Sequence, residues 1–130
     1  MTLLDTNTAI HVLRGNPKAM AQFDMNAGDI ALPAMVLGEL LYGVERSGNP
    51  AKNAALLGML VDALPVMHTN DMIMGVFARQ KALLAGRGEV VEDADLLIAA
   101  TALVYDAALA TCNTRHFSRF AGLRIVDWTV

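Results

Sequence analysis

Met1-Thr-Leu-Leu-Asp5-Thr6-Asn7 sends a short apolar run straight into a carboxylate, a hydroxyl and an amide, with no Gly or Pro to make an ordinary turn. In an open parallel sheet the carboxyl ends of the strands are where ligands sit. A carboxylate there, backed by two more oxygen-bearing side chains, suits a hard cation such as magnesium. The same residues also fit a plainer part, since Asp5 or Thr6 would serve as the N-cap of a following helix. On this stretch alone the two readings stand level.

Outward from that strand the chain alternates. Thr8 to Leu13 reads as a short helix ending at Arg14-Gly15, and Pro17 starts another through Met20 and Phe23. Ile30 to Leu32 reads as a strand. Pro33 then opens a helix to about Ser47, with Met35, Leu37, Leu40, Leu41 and Val44 on its apolar face. A helix from Ala51 to Asp62 follows the Gly48-Asn49-Pro50 break, and then Leu64 to His68 as a short strand that Pro65 places near an edge. Thr69 or Asn70 caps a long helix through Leu84, and Asp93 to Tyr105 forms a nearly all-apolar helix with acids in its first turn. Strands at Ala108 to Thr111 and Leu123 to Val126 flank a helical stretch around Thr114 to Phe120. Strands alternating with helices predict an α/β chain with a mainly parallel central sheet in three α/β/α layers.

The 130 residues fit one domain, residues 1–130, with a core that needs no disulfide or metal staple. An apolar fraction of 55% beside 18% charged residues leaves apolar surface to cover, which predicts a homo-oligomer, a bound second chain, or both. The lone Cys112 excludes an internal disulfide and predicts a cytoplasmic home. The start lacks the pattern of a secretory signal, and the longest apolar run, Leu96 to Tyr105, is too short for a bilayer. The net charge of −3 argues against broad electrostatic attraction to nucleic acid, although Arg115, Arg119 and Arg124 form a local basic group.

Three acids sit where the pattern does not require them. Asp5 ends a strand, Glu39 lies among Leu37, Leu40 and Leu41, and Asp95 sits on a helix about to enter the core. A solvated Glu39 and a dipole-favoured Asp95 are their plain readings, and Asp93 or Glu92 would serve the dipole equally well. Carboxylates gathered at one sheet edge would repel one another unless a divalent cation neutralised them. Magnesium or manganese fits better than zinc, because no thiolate or histidine cluster is present. Asn113, Arg115 and His116 follow a later strand: Asn113 either caps a helix or orients bound water, while Arg115 and His116 are either exposed helix residues or phosphate contacts. His11, His68, Tyr42 and Trp128 read as surface or packing groups.

Leu4-Asp5-Thr6-Asn7, Gly38-Glu39-Leu40-Leu41-Tyr42-Gly43, Asp95-Leu-Leu-Ile98-Ala99, Thr111-Cys-Asn113-Thr-Arg-His116-Phe117 and Gly122-Leu-Arg-Ile-Val-Asp-Trp128 occur in an order that resembles the PIN-domain family, and most closely its VapC toxins. The resemblance covers nearly the whole chain. It implies a single PIN domain with Asp5, Glu39 and Asp95 as an acidic pocket for Mg2+ or Mn2+, and Asn113 as a fourth catalytic position. His116 falls where other members carry an acid, so the fourth ligand stays open between Asn113 and His116. The cap role then passes to Thr6 or Asn7, which would also support the ligands. The implied activity is an endoribonuclease that hydrolyses RNA by metal-activated water, with Arg115, Arg119 or Arg87 on the RNA backbone. Implied too are a homodimer, a cognate VapB-like antitoxin that covers the groove, and operator DNA bound only through that antitoxin, with no membrane.

Rival readings make distinct demands. A phosphatase with an aspartyl nucleophile needs a second Asp two residues after Asp5, where this chain has Asn7. A receiver-like module wants a Lys where Thr111 stands. A non-catalytic PIN-like assembly module is the remaining alternative.

Overall fold

A computed structural model describes residues 1–130. In chain order the elements are β1 (Thr2–Leu4), α1 (Thr6–Leu13), α2 (Pro17–Met25), β2 (Ile30–Pro33), α3 (Ala34–Glu45), α4 (Pro50–Ala63), β3 (Val66–Met67), α5 (Asp71–Gly86), α6 (Asp93–Val104), β4 (Ala108–Ala110), α7 (Thr114–Phe117) and β5 (Ile125–Val126). The strands form one sheet in the order β3-β2-β1-β4-β5, and every pairing is parallel. Helices on both faces complete the three-layer α/β/α arrangement expected from the alternating pattern.

A parallel sheet covered on both faces needs strands that are apolar throughout, not alternating. Leu3, Leu4, Ala31, Leu32, Leu109 and Ala110 are accordingly buried completely. The core is one cluster of 25 residues, to which α6 contributes Leu96, Ile98, Ala99 and Ala102. The small residues of α6 let it lie close against its neighbours, and it packs chiefly against α5.

Three helices begin on an asparagine that supplies the missing hydrogen-bond acceptor at a helix N-terminus. Asn16 Oδ1 accepts from Ala19 N–H, Asn49 Oδ1 from Lys52 N–H, and Asn70 Oδ1 from Ile73 N–H. Asn16 and Asn49 are each followed by a proline, whose missing N–H costs nothing at the first helical position. Leu13 ends α1, and Gly15 adopts the left-handed conformation, φ 77°, that turns the chain toward α2.

Two expectations change. The strand expected over Leu64 to His68 shrinks to Val66–Met67, because Pro65 has no N–H for the ladder; its carbonyl still accepts from Leu32 N–H. On α3 the inward face is Val36 and Leu40, whereas Leu41 and Tyr42 are 48% and 62% exposed. Reading Leu41 as part of the buried stripe was therefore one residue out of phase. No helix is long and apolar enough to cross a membrane.

Candidate active site

Strand order fixes where a site can form. Connections leave β1 toward β2 and β3 on one side and return to β4 and β5 on the other, so the sheet has a switch point between β1 and β4. At such a point the loops after the two strands part and leave a crevice beyond the carboxyl ends. Asp5 directly follows β1, and Asn113 follows β4.

The crevice is a cavity of about 210 Å³ lined by Asp5, Thr6, Asn7, Glu39, Asp95, Ile98, Asn113 and Phe117. It thus unites Asp5, Glu39, Asp95 and Asn113, residues far apart in the chain, with Thr6 and Asn7 beside them. Three carboxyl groups face it and no Lys or Arg does.

Each wall is held by specific bonds. Asp5, only 6% exposed, donates its N–H to the Ala110 carbonyl and accepts Thr8 N–H on Oδ1 at 2.9 Å. Asp5 is therefore the N-cap of α1, which corrects the assignment of that role to Thr6 or Asn7. The two readings of Asp5 were never exclusive, because a carboxylate has two oxygens and a cap uses one. The buried Thr8 hydroxyl also donates to the Ala110 carbonyl, at 2.9 Å, and so ties α1 to β4. Thr6 Oγ1 donates to Glu39 Oε1 at 2.6 Å, which joins α1 to α3 and fixes the Glu39 carboxylate at the cavity rather than in solvent.

The opposite wall carries fewer such bonds. The Thr111 hydroxyl accepts Asn113 N–H at 2.9 Å and shapes the turn after β4. Asn113 stands at the N-cap position of α7, yet its side chain makes no capping bond, so the amide is left to the cavity and the cap reading fails. Asp95 lines the cavity, whereas Asp93 turns outward to Lys81 at 2.9 Å. His116 is not the exposed helix residue expected: its side chain is 16% exposed, and Nε2 lies 2.9 Å from Asp95 Oδ2. Arg115 stays at the surface outside the cavity. Arg119 donates through Nε to the His116 carbonyl, and Arg87 pairs with Glu89.

Ile98 and Phe117, given above only as parts of the resembling stretches and with no site role, also line the cavity. A signal existed: Ile98 lies three residues after Asp95 and Phe117 four after Asn113, spacings that share a helix face. A larger, mainly apolar groove of about 270 Å³ between α1, α3 and α4 meets the acidic cavity at Glu39.

The donor set is oxygen-rich and lacks thiolates, which fits a hard divalent cation. No three His, Cys, Asp or Glu side chains converge tightly enough to enclose an ion. The cavity therefore suits an ion that keeps part of its water shell and takes one or two carboxylates, as Mg2+ commonly does. Away from the site, Asp127 is the one acid whose carboxyl is held below its ordinary range, because the Thr129 hydroxyl, followed by Thr129 N–H, donates to it.

A family profile for the PIN domain matches residues 2–123. Ribonuclease VapC19 of Mycobacterium tuberculosis is 40% identical over 129 residues, covering 95% of this chain and 98% of the relative. The tRNA(fMet)-specific endonuclease VapC of Shigella flexneri is 32% identical over 128 residues, covering 98% of this chain and 97% of its own. Among solved structures, DNA-bound VapBC from Salmonella typhimurium matches with a TM-score of 0.93 at 31% identity, over 98% of this chain and 97% of that one.

Proposed function

This chain belongs to the PIN-domain family, and from that premise we propose that it is the endoribonuclease toxin of a VapBC-type toxin–antitoxin pair. The observation that carries the reading is the convergence of Asp5, Glu39, Asp95 and Asn113 on one cavity at the switch point of the sheet. The near full-length likeness to VapC nucleases supports it. We read the chain as one PIN domain throughout.

Asp5, Glu39 and Asp95 would hold Mg2+ or Mn2+, one or two of them directly and the rest through its water shell, and the ion would supply charge to the scissile phosphate and a more acidic water as nucleophile. The chain's own groups do the positioning. Thr8 N–H holds one oxygen of Asp5 and leaves the other for the cavity. Thr6 holds Oε1 of Glu39, so Oε2 remains free to accept a proton from the attacking water. The Asn113 amide, which makes no capping bond, would donate to a phosphate oxygen. Asn7 stands at the rim, and the exposed Arg115 and the nearby Arg119 would take the RNA backbone through phosphate contacts.

A VapB-like antitoxin is the partner this reading requires, and operator DNA would be engaged through it; the likeness to DNA-bound VapBC structures supports both. Exposed Met59, Met72 and Leu83 are surface that a homodimer or an antitoxin would cover. The phosphatase alternative lacks its second Asp, since Asn7 occupies the position, and a decayed assembly module has no reason to keep all three acids on one cavity.

The test is cleavage of total RNA by purified protein in Mn2+, with the ends mapped, for the wild type and Asp95→Asn. Discrete ends that vanish in the variant are expected. Absence of cleavage, or equal cleavage by both proteins, overturns the reading.

A further inference from the structure

We propose that His116 is the positioning residue of Asp95: its ring nitrogen Nε2 takes Oδ2 and so turns the other oxygen of that carboxylate toward the acidic cavity. The inference rests on the metal-dependent nuclease reading above.

The other two cavity acids are each held by one oxygen. Asp5 accepts Thr8 N–H on Oδ1 and Glu39 accepts the Thr6 hydroxyl on Oε1, which leaves each a second oxygen for the cavity. Asp95 has no such donor. The polar atom that reaches it is His116 Nε2, 2.9 Å from Oδ2, and with its side chain 30% exposed the carboxylate is otherwise free to turn toward water.

His116 Nε2 is buried and no other acceptor bonds it, while its approach to Oδ2 falls short of hydrogen-bond alignment. Buried donors in native proteins almost always have a partner, so the pair should close. The carboxylate is the half that moves, because the last torsion of an aspartate side chain is broad and soft. The imidazole is fixed. Its edge meets the ring of buried Phe117 at 5.0 Å between centroids with an interplanar angle of 82°, and Arg119 Nε donates to the His116 carbonyl at 3.1 Å. A fixed ring beside a soft carboxylate decides which oxygen faces which way. The helix that carries His116 starts at Asn113, so α7 sets both the amide and the imidazole on this wall.

The test compares the full chain with His116→Leu, which removes the nitrogen, and His116→Gln, whose amide nitrogen comes close to the place of Nε2. Calorimetric titration should show Mn2+ bound about tenfold more weakly by His116→Leu, the scale on which groups that orient metal ligands act. RNA cleavage by that variant should lose about ten- to a hundredfold in kcat with KM within about twofold. His116→Gln should recover most of both. Thermal midpoints of all three should agree within a few degrees, because leucine replaces a nitrogen that has no well-aligned bond to lose. Equal Mn2+ affinity and kcat in all three proteins, an equal loss in both variants, or a loss that follows a fall in Tm overturns the positioning role. A raised KM with kcat unchanged overturns it too, and makes the imidazole a substrate contact. None of these results touches the ribonuclease reading while the wild type cleaves. A wild type that binds Mn2+ but cleaves no RNA removes that reading alone, since the Mn2+ affinities still decide on His116. Failure of the wild type to bind Mn2+ removes both.

Discussion

The two walls of the cavity present similar oxygen chemistry but are held differently. On the β1–α3 wall both carboxylates are engaged by the chain: Asp5 by Thr8 N–H and Glu39 by the Thr6 hydroxyl. On the β4–α6 wall Asn113 has no capping bond and Asp95 meets only a misaligned imidazole. On one wall the chain's own donors hold both carboxylates, and on the other the Asn113 amide is left without a capping bond. The division suits a site in which one side fixes position and the other completes itself around its ligands.

The largest effect that can break this contrast is at Asp5. Asn caps a helix about as well as Asp, so Asp5→Asn should keep thermal stability close to the wild type while RNA cleavage falls by about 10³-fold, the loss of several kcal/mol of charge stabilisation. Asp5→Ala should lose the same activity and also about 1 kcal/mol of stability. Equal unfolding of the two variants in a urea titration would separate Asp5 from its cap.

Next in size is Thr6→Val, which removes the donor to Glu39 with little change of shape and should lower kcat/KM by about tenfold. Unchanged kinetics would mean that the Glu39 carboxylate needs no support. Thr8→Val, which cuts the tie from α1 to β4, should cost about 1 kcal/mol, because the Ala110 carbonyl keeps its bond from Asp5 N–H. Calorimetry should show a drop of a few degrees in Tm.

On the loose wall, Asn113→Ala should leave stability within about 0.5 kcal/mol, whereas Asn70→Ala, which removes a working cap, should cost about 1 kcal/mol. Smallest and remote from both walls is Asp127. Its folded carboxyl is held low, so its stabilising share is present above the ordinary carboxylate range and is lost as acidification passes through the depressed value. The urea midpoints of the wild type and Asp127→Asn should differ slightly at neutral pH and converge in acid.

Much of this architecture was legible in the residues. Leu3-Leu4 breaking onto Asp5, and Asp95 opening an apolar helix, violate the periodicity around them, and such violations point to sites. Glu39 was legible only in part, since α3 exposes Leu41 and Tyr42 and its apolar run is wider than its buried stripe. The reach of Thr6 to Glu39 and of His116 to Asp95 was not legible. Each joins elements whose relative placement depends on the packed sheet, and no local spacing encodes it. Nor could spacing show that one carboxylate serves as both cap and cavity group.

The Ala110 carbonyl, which receives both Asp5 N–H and the Thr8 hydroxyl, lies 102 positions beyond Thr8 in the chain and still further beyond Asp5. That separation sets an order of events during synthesis. A polypeptide made N-terminus first at about 5–20 residues per second completes Asp5 and Glu39 several seconds, and Asp95 about a second, before β4 exists to dock beside β1. Until then the central strand lacks a neighbour and the cavity lacks the turn that carries Asn113. A product interrupted before β4 would carry the acids without the pocket, so the chain's cutting power would arrive only once the sheet is complete.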